Sequence, residues 1–181
     1  MRREKLETGV KESEQDGLFA AAMAQYGGAM ARLARGYEAD PDLRRDLEQE
    51  LQVALWRSFV RFDGRCAIST WVWRVAHNRA TSYVLTRKRQ KTWCNIEDVE
   101  LSDDAPSPSD RAENEEAMAL ILSIIDRLDP PDRQILLLYL EGVAGAEIAE
   151  VTGVTSDVAA TKIHRFKTML ARRFAATGDV R

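Results

Sequence analysis

The stretch GAEIAEVTGVTSDVAATKIHRFKTML, Gly145–Leu170, decides the fold of its half of the chain. It reads as a short helix containing Ala149, a turn at Gly153, and a second helix entered after Thr155, whose hydroxyl suits an N-cap. A small residue at Ala149 lets two helices cross closely, and Gly153 can take the left-handed backbone of a tight inter-helix turn. At about 100° per residue, Ala159, Ile163, Phe166, Leu170 and Phe174 share a core face. Val158, Thr161, Arg165, Thr168 and Arg172 then point outward, with Lys162 on the flank. A second helix of this kind lies in the major groove in DNA-binding proteins, early side chains meeting base edges and cations meeting phosphate.

Outward from this motif the chain remains helical in pattern. Apolar residues recur at helical spacing in LFAAAMAQYGGAMARLARGY, in DLRRDLEQELQVALWRSFVRF, in EEAMALILSIIDRL and in DRQILLLYLEG, and nothing alternates as a strand. The 45% hydrophobic and 30% charged residues are the balance of a folded soluble chain rather than a disordered one. SDDAPSPSD, small and polar with two prolines, reads as a flexible acidic linker. The expected organisation is all-α: a polar N-terminal tail over 1–17, a helical domain over 18–91, the linker over 92–112, and a second helical domain over 113–176.

Charge is segregated along this plan. Arg65–Lys91 contains seven bases and no acids; Ile96–Glu116 contains nine acids and one base; Val158–Phe174 contains five bases and no acids. Two basic segments flanking an acidic one matter more to a polyanionic partner than the net −3 of the chain. No run approaches the roughly 20 apolar residues of a membrane span, and the polar start lacks a secretion signal, so a cytoplasmic chain is expected. Cys66 and Cys94 lie in no CxxC pair or metal-ligand spacing and read as reduced thiols. His77 and His164 accompany no nucleophile, metal or phosphate-loop motif and read as surface or DNA-proximal residues, so no enzyme, metal site or cofactor is expected.

In DLEQELQVALWRSF, Leu47, Leu51, Leu55 and Phe59 fall on one face and Asp46, Gln49, Glu50 and Val53 largely on the other. This helix, the following FDGRCAISTWVWRVAHNRATSYVLTRKR, the acidic linker and LDPPDRQILLLYLEGVAGAEIAEVTGV together resemble the bacterial RNA polymerase sigma factors of the extracytoplasmic-function group. The resemblance covers both domains in the family's order. It implies that the chain binds core polymerase (β′ clamp and β subunits) and promoter DNA and directs transcription initiation. Carried over by position, Asp46, Gln49, Glu50 and Val53 would bind core polymerase. The loop Asp63, Gly64, Arg65, Cys66, Ala67, Ile68 and Ser69 would capture a flipped base of the −10 element, with Trp71, Arg74, Asn78, Arg87 and Lys88 alongside it. Thr155, Ser156, Val158, Thr161, Lys162 and Arg165 would read the −35 element.

The resemblance further implies an anti-sigma partner, able to hold the chain at the membrane, and no small-molecule substrate. Departures from the family pattern are Val72 where housekeeping members have a second tryptophan, Trp73 for tyrosine, His77 for arginine, and Ala160 for a cation. Within STWVWRVAHNR, Val72 marks the inward face; Trp71 is expected at the DNA and Trp73 against the rest of its domain. A stand-alone helix-turn-helix regulator would explain the last domain but not the signature at Asp46, Gln49 and Glu50.

Overall fold

The structure, a computed structural model, describes residues 2–87, 94–98 and 112–178, with side chains described over 13–86, 94–97 and 117–172. The chain forms two compact units, residues 1–89 and 90–181. Among the described residues there is no strand; the single bridge joins Cys94 to Leu128.

The N-terminal unit packs three helices pairwise, α1 (Arg2–Tyr37), α2 (Pro41–Ser58) and α3 (Ile68–Arg87). Entry into α2 is fixed by Asp40, whose carboxylate accepts from the N–H groups of Asp42 and Leu43 at 2.9 and 3.0 Å, with Pro41 at the first helical position, where its missing N–H is harmless. Leu47, Leu51 and Leu55 are fully buried, as the i, i+4 spacing requires. Each contributes about 2 kcal/mol of apolar transfer. They meet Leu33, Ala34 and Tyr37 of α1 and Val72, Trp73, Ala76 and Ala80 of α3 in the core of this unit.

The polar start of the chain departs from the expected tail, because it continues α1 instead of preceding it. Its Glu, Lys, Arg and Gln residues are good helix formers, and the docked end is specific. Gln15 is buried and donates to the Trp56 carbonyl at 2.7 Å, while the Trp56 indole N–H donates to Asp16 at 2.8 Å.

The C-terminal unit contains α4 (Ala112–Arg127), α5 (Pro130–Leu140), α6 (Gly145–Thr152) and α7 (Ser156–Gly178). The last three pack against one another around Ile135, Leu136, Leu138, Ile148, Ala159 and Phe166. Asp129 caps α5, accepting from Asp132 N–H at 3.1 Å ahead of two prolines. Gly153 ends α6 at φ 77°, and Thr155 Oγ1 accepts from Val158 N–H at 3.3 Å, so the turn is built as its sequence requires.

Part of the expected linker 92–112 also belongs to this unit. Cys94 exchanges backbone hydrogen bonds with Arg127 and Asp129, both at 3.0 Å, and Ile96 in the 3₁₀ turn Ile96–Asp98 is buried. An apolar Ile immediately before the acidic run carries the chain back onto the α5–α7 surface. Ala112, at the other end of that linker, begins α4, and the linker's remaining residues lie outside the described ones.

Candidate nucleic-acid and partner interfaces

An open groove of about 900 Å³ runs between α2 and α3. Asp46, Gln49, Glu50 and Val53 line it from α2, and Val75, Asn78, Arg79 and Ser82 from α3. The structure thus brings the residues expected at polymerase and the asparagine expected at DNA to one surface. Asp46, Gln49 and Asn78 are exposed, and Val53, at 46% exposure, is an apolar side chain held in solvent. Glu50 is not free on this surface, because its carboxylate pairs with the Arg79 guanidinium at 2.6 Å, both groups half-exposed.

The loop before α3 is organised by Asp63. Its carboxylate accepts the Arg65 N–H at 3.1 Å and pairs with the Arg65 guanidinium at 3.1 Å, while Gly64 takes φ 73°. Gly64, Arg65 and Ala67 are exposed, and Cys66, Ile68 and Ser69 half-buried. Cys66 is a free thiol, as is Cys94.

Trp71 is half-buried, lies tilted against Phe62 with ring centroids 5.4 Å apart and donates its indole N–H to Ser58 Oγ at 2.9 Å. Trp73 is buried and meets Tyr26 edge-on at 6.1 Å, as expected for the packing tryptophan, and Val72 is wholly buried. Arg74 is half-buried, Arg87 ends α3 with its side chain outside the described residues, and Lys88 lies outside them altogether.

His77 corrects the sequence reading. It is not on the surface but 1% exposed, its Nδ1 3.1 Å from the Tyr37 hydroxyl and its ring against Trp73. Burial lowers its pKa to about 3, so it is neutral at every physiological pH. Its Nε2 finds no hydrogen-bond partner. The basic character of the flanking sequence suggested a surface, but the i, i+4 relation to the packing Trp73 carried the better signal. His164 is exposed.

On α7, Thr155, Ser156, Val158, Thr161 and Arg165 are all exposed, forming the outward face. Thr161 already donates its hydroxyl to the Asp157 carbonyl at 2.8 Å. On the flank, Lys162 turns inward, its ammonium 2.6 Å from the Asp132 carboxylate, itself 1% exposed. Such a pair holds Lys162 as a strut between α5 and α7 instead of offering it to phosphate. The other Asp132 oxygen accepts the Ile96 N–H at 2.9 Å. Sequence reasoning missed Asp132, because an acid three residues after a helix cap carries no local sign of a partner on α7. Asp129, the cap itself, has its pKa raised by burial, against the lowering effect of the Asp132 N–H. Arg165 pairs with Glu97 at 3.6 Å.

Among the described residues no three His, Cys, Asp or Glu side chains are grouped to hold a metal, and no helix is long and apolar enough to cross a membrane.

Comparison with known proteins matches these two units separately and in order. Residues 22–90 match the family described as Sigma-70 region 2, and residues 118–170 match Sigma-70, region 4. The chain is 27% identical to the RNA polymerase sigma factor NccH of Alcaligenes xylosoxydans xylosoxydans, over 84% of each chain. It is also 27% identical to the sigma factor CnrH of Cupriavidus metallidurans, over 89% of this chain and 88% of the relative. Against the ECF sigma-E factor of Haemophilus influenzae it is again 27% identical, over 86% of each. The solved structure of CnrH in complex with the cytosolic domain of CnrY shares the fold, with TM-score 0.63 and 20% identity over 92% of this chain and 96% of that one. A stand-alone helix-turn-helix regulator would leave the region 2 match and its α2–α3 groove unexplained. With both regions present in the family's order, the chain belongs to the RNA polymerase sigma factors, of the extracytoplasmic-function type.

Proposed function

We propose that this sigma factor seats the exposed face of α2, through Asp46, Gln49, Glu50 and Val53, on the clamp of core RNA polymerase. The residues lining the same groove from α3, Asn78 foremost, together with the Asp63–Ser69 loop and Trp71, then take the melted strand of the −10 element. The outward face of α7, through Thr155, Ser156, Val158, Thr161 and Arg165, reads the −35 element. The observation that carries the reading is the single groove on which acid, amide and apolar groups of α2 stand opposite Asn78 and Arg79 of α3. Protein contact and strand capture on adjoining walls would let polymerase binding orient the DNA-reading wall.

The chain performs no bond chemistry in this scheme. The polymerase supplies the active site, and the sigma factor supplies position and electrostatic neutralisation of phosphate. It acts in the cytoplasm. CnrH has been solved with the cytosolic domain of CnrY, and by likeness this chain is assigned an anti-sigma partner that withholds it from polymerase and can retain it at the membrane.

The experiment is run-off transcription on genomic fragments with purified core polymerase, comparing wild type with Asp46→Ala/Glu50→Ala. Wild type is expected to give discrete promoter-dependent transcripts and to co-elute with core, and the double variant to lose both. A wild-type chain that neither co-elutes nor initiates would refute the reading.

A further inference from the structure

The segment Cys94–Glu97 lies on the C-terminal unit in a way its acidic, linker-like sequence does not suggest. It is pinned at three points: the paired backbone bonds of Cys94 with Arg127 and Asp129, the bond from Ile96 N–H to the buried Asp132 carboxylate, and the buried Ile96 side chain. From this fixed position Glu97 reaches Arg165, an outward residue of α7, at 3.6 Å. A cleft of about 460 Å³ lies between the segment and α7, lined by Ile96, Glu97, Arg165, Thr168 and Arg172 among others. The carboxylate thus occupies the cation that phosphate would otherwise meet.

The same docking shortens the connection between the units. The last residue of α3 is Arg87, and the first docked residue of the C-terminal unit is Cys94. Seven Cα steps reach at most about 25 Å. Elements centred at −10 and −35 are about 25 base pairs apart, roughly 85 Å along B-DNA at 3.4 Å per step. A unit of about 90 residues is on the order of 30 Å across, so some 55 Å of gap remains between the near sides of two such units. Released from the C-terminal unit, the chain from Arg87 to Ala112 could extend over roughly 85 Å. The docked tether is too short for the promoter and the released one suffices.

We propose that Cys94–Glu97 is an internal strap that keeps Arg165 from DNA phosphate and must leave the C-terminal unit when the two units take up their two promoter elements. This rests on the promoter-reading role given above. Free sigma factor is then held in a form that binds upstream DNA poorly, and loading onto polymerase both lengthens the tether and uncovers the cation.

The test locks the strap. Glu97→Cys and Thr168→Cys, which line the same cleft, are introduced with Cys94→Ser and with Cys66→Ser, whose own effect on transcription is measured first in Cys66→Ser alone; the pair is bridged by a bis-maleimide whose spacer contains a reducible disulfide, and transcription is read against the same variant unbridged. Bridged protein is expected to co-elute with core polymerase yet give no promoter-dependent transcript, and to recover when the spacer is reduced. Bridged protein that transcribes like the unbridged form overturns the strap.

A second arm measures binding of the full chain, free of core polymerase and so with the strap seated, to a duplex carrying the upstream element of a promoter found by run-off transcription. Glu97→Gln should tighten binding roughly two- to fivefold at low salt, the size of an exposed ion pair. It should change nothing in the Arg165→Ala background, where general charge repulsion would persist but competition for Arg165 would not. An equal gain in both backgrounds, or none in either, overturns the proposal. Should the cysteine variant be inactive unbridged, this cycle decides alone. Arg165→Ala binding as wild type, or wild type failing to initiate, would instead refute the underlying promoter-reading role.

Discussion

The Lys162 ammonium and the Asp132 carboxylate lie 2.6 Å apart with little access to solvent, 17% and 1% of their side chains exposed. A cation on the DNA-reading helix is therefore part of its support. Removing one partner of such a pair leaves an uncompensated charge, at a cost of roughly 3 kcal/mol when burial is deep. Lys162→Met should accordingly lower the unfolding free energy of the C-terminal unit by about that amount, measured by urea denaturation, while the salt dependence of DNA binding keeps its slope. Unchanged stability with one phosphate's worth of slope lost would move Lys162 to the DNA instead.

His77 makes the N-terminal unit acid-sensitive. Its folded pKa of about 3 lies below its ordinary 6.5 because the charged form is desolvated. As pH falls through 6.5 the unfolded chain takes up a proton that the folded chain refuses, so stability is full above that range and declines toward pH 3. By about pH 5 the loss is on the order of 2 kcal/mol. Urea midpoints of wild type should fall between pH 8 and pH 5, and those of His77→Gln should fall by clearly less. Parallel declines would remove His77 as the cause.

The Glu50–Arg79 pair is half in solvent and should contribute no more than about 1 kcal/mol to folding. Glu50→Gln is therefore expected to melt within a few degrees of wild type while its affinity for core polymerase drops. Loss of affinity accompanied by large destabilisation would mean that the pair acts through the fold and not at the polymerase contact.

Gly153 ends α6 at φ 77° with open space where a Cβ would stand. A side chain there meets no neighbour but forces an L-residue into the left-handed region, costing roughly 1–2 kcal/mol. Gly153→Ala should lower the melting temperature, and Gly153→Asn, which tolerates this backbone better, should lie between the two. Equal stability of all three would show that the turn relaxes.

The helical architecture was legible because its signals are local. Spacing named Leu47, Leu51 and Leu55 as core, Gly153 and Thr155 as the joint of the helix-turn-helix, and Trp73 as the packing tryptophan of its pair. What escaped was tertiary. Polar Gln15 and Asp16 satisfy the Trp56 carbonyl and indole from a helix whose start looks solvated, and Asp132 joins α5, α7 and Ile96 across the sequence. His77 escaped because a basic neighbourhood says nothing of which face a ring takes. The expected surfaces of α2 and α7 stand exposed together with their neighbours, but which cations are already engaged, Arg79 by Glu50 and Arg165 by Glu97, depends on partners distant in sequence.

The bond between Trp56 and Asp16 gives the molecule an optical readout. Trp56, Trp71 and Trp73 all lie in the N-terminal unit, and of these Trp56 is the exposed one, its indole N–H donated to a carboxylate on α1. Emission from this fluorophore reports whether the α1 segment at Gln15 and Asp16 is seated on the end of α2. Any partner that lifts this segment away will announce itself as a spectral shift without a label being attached.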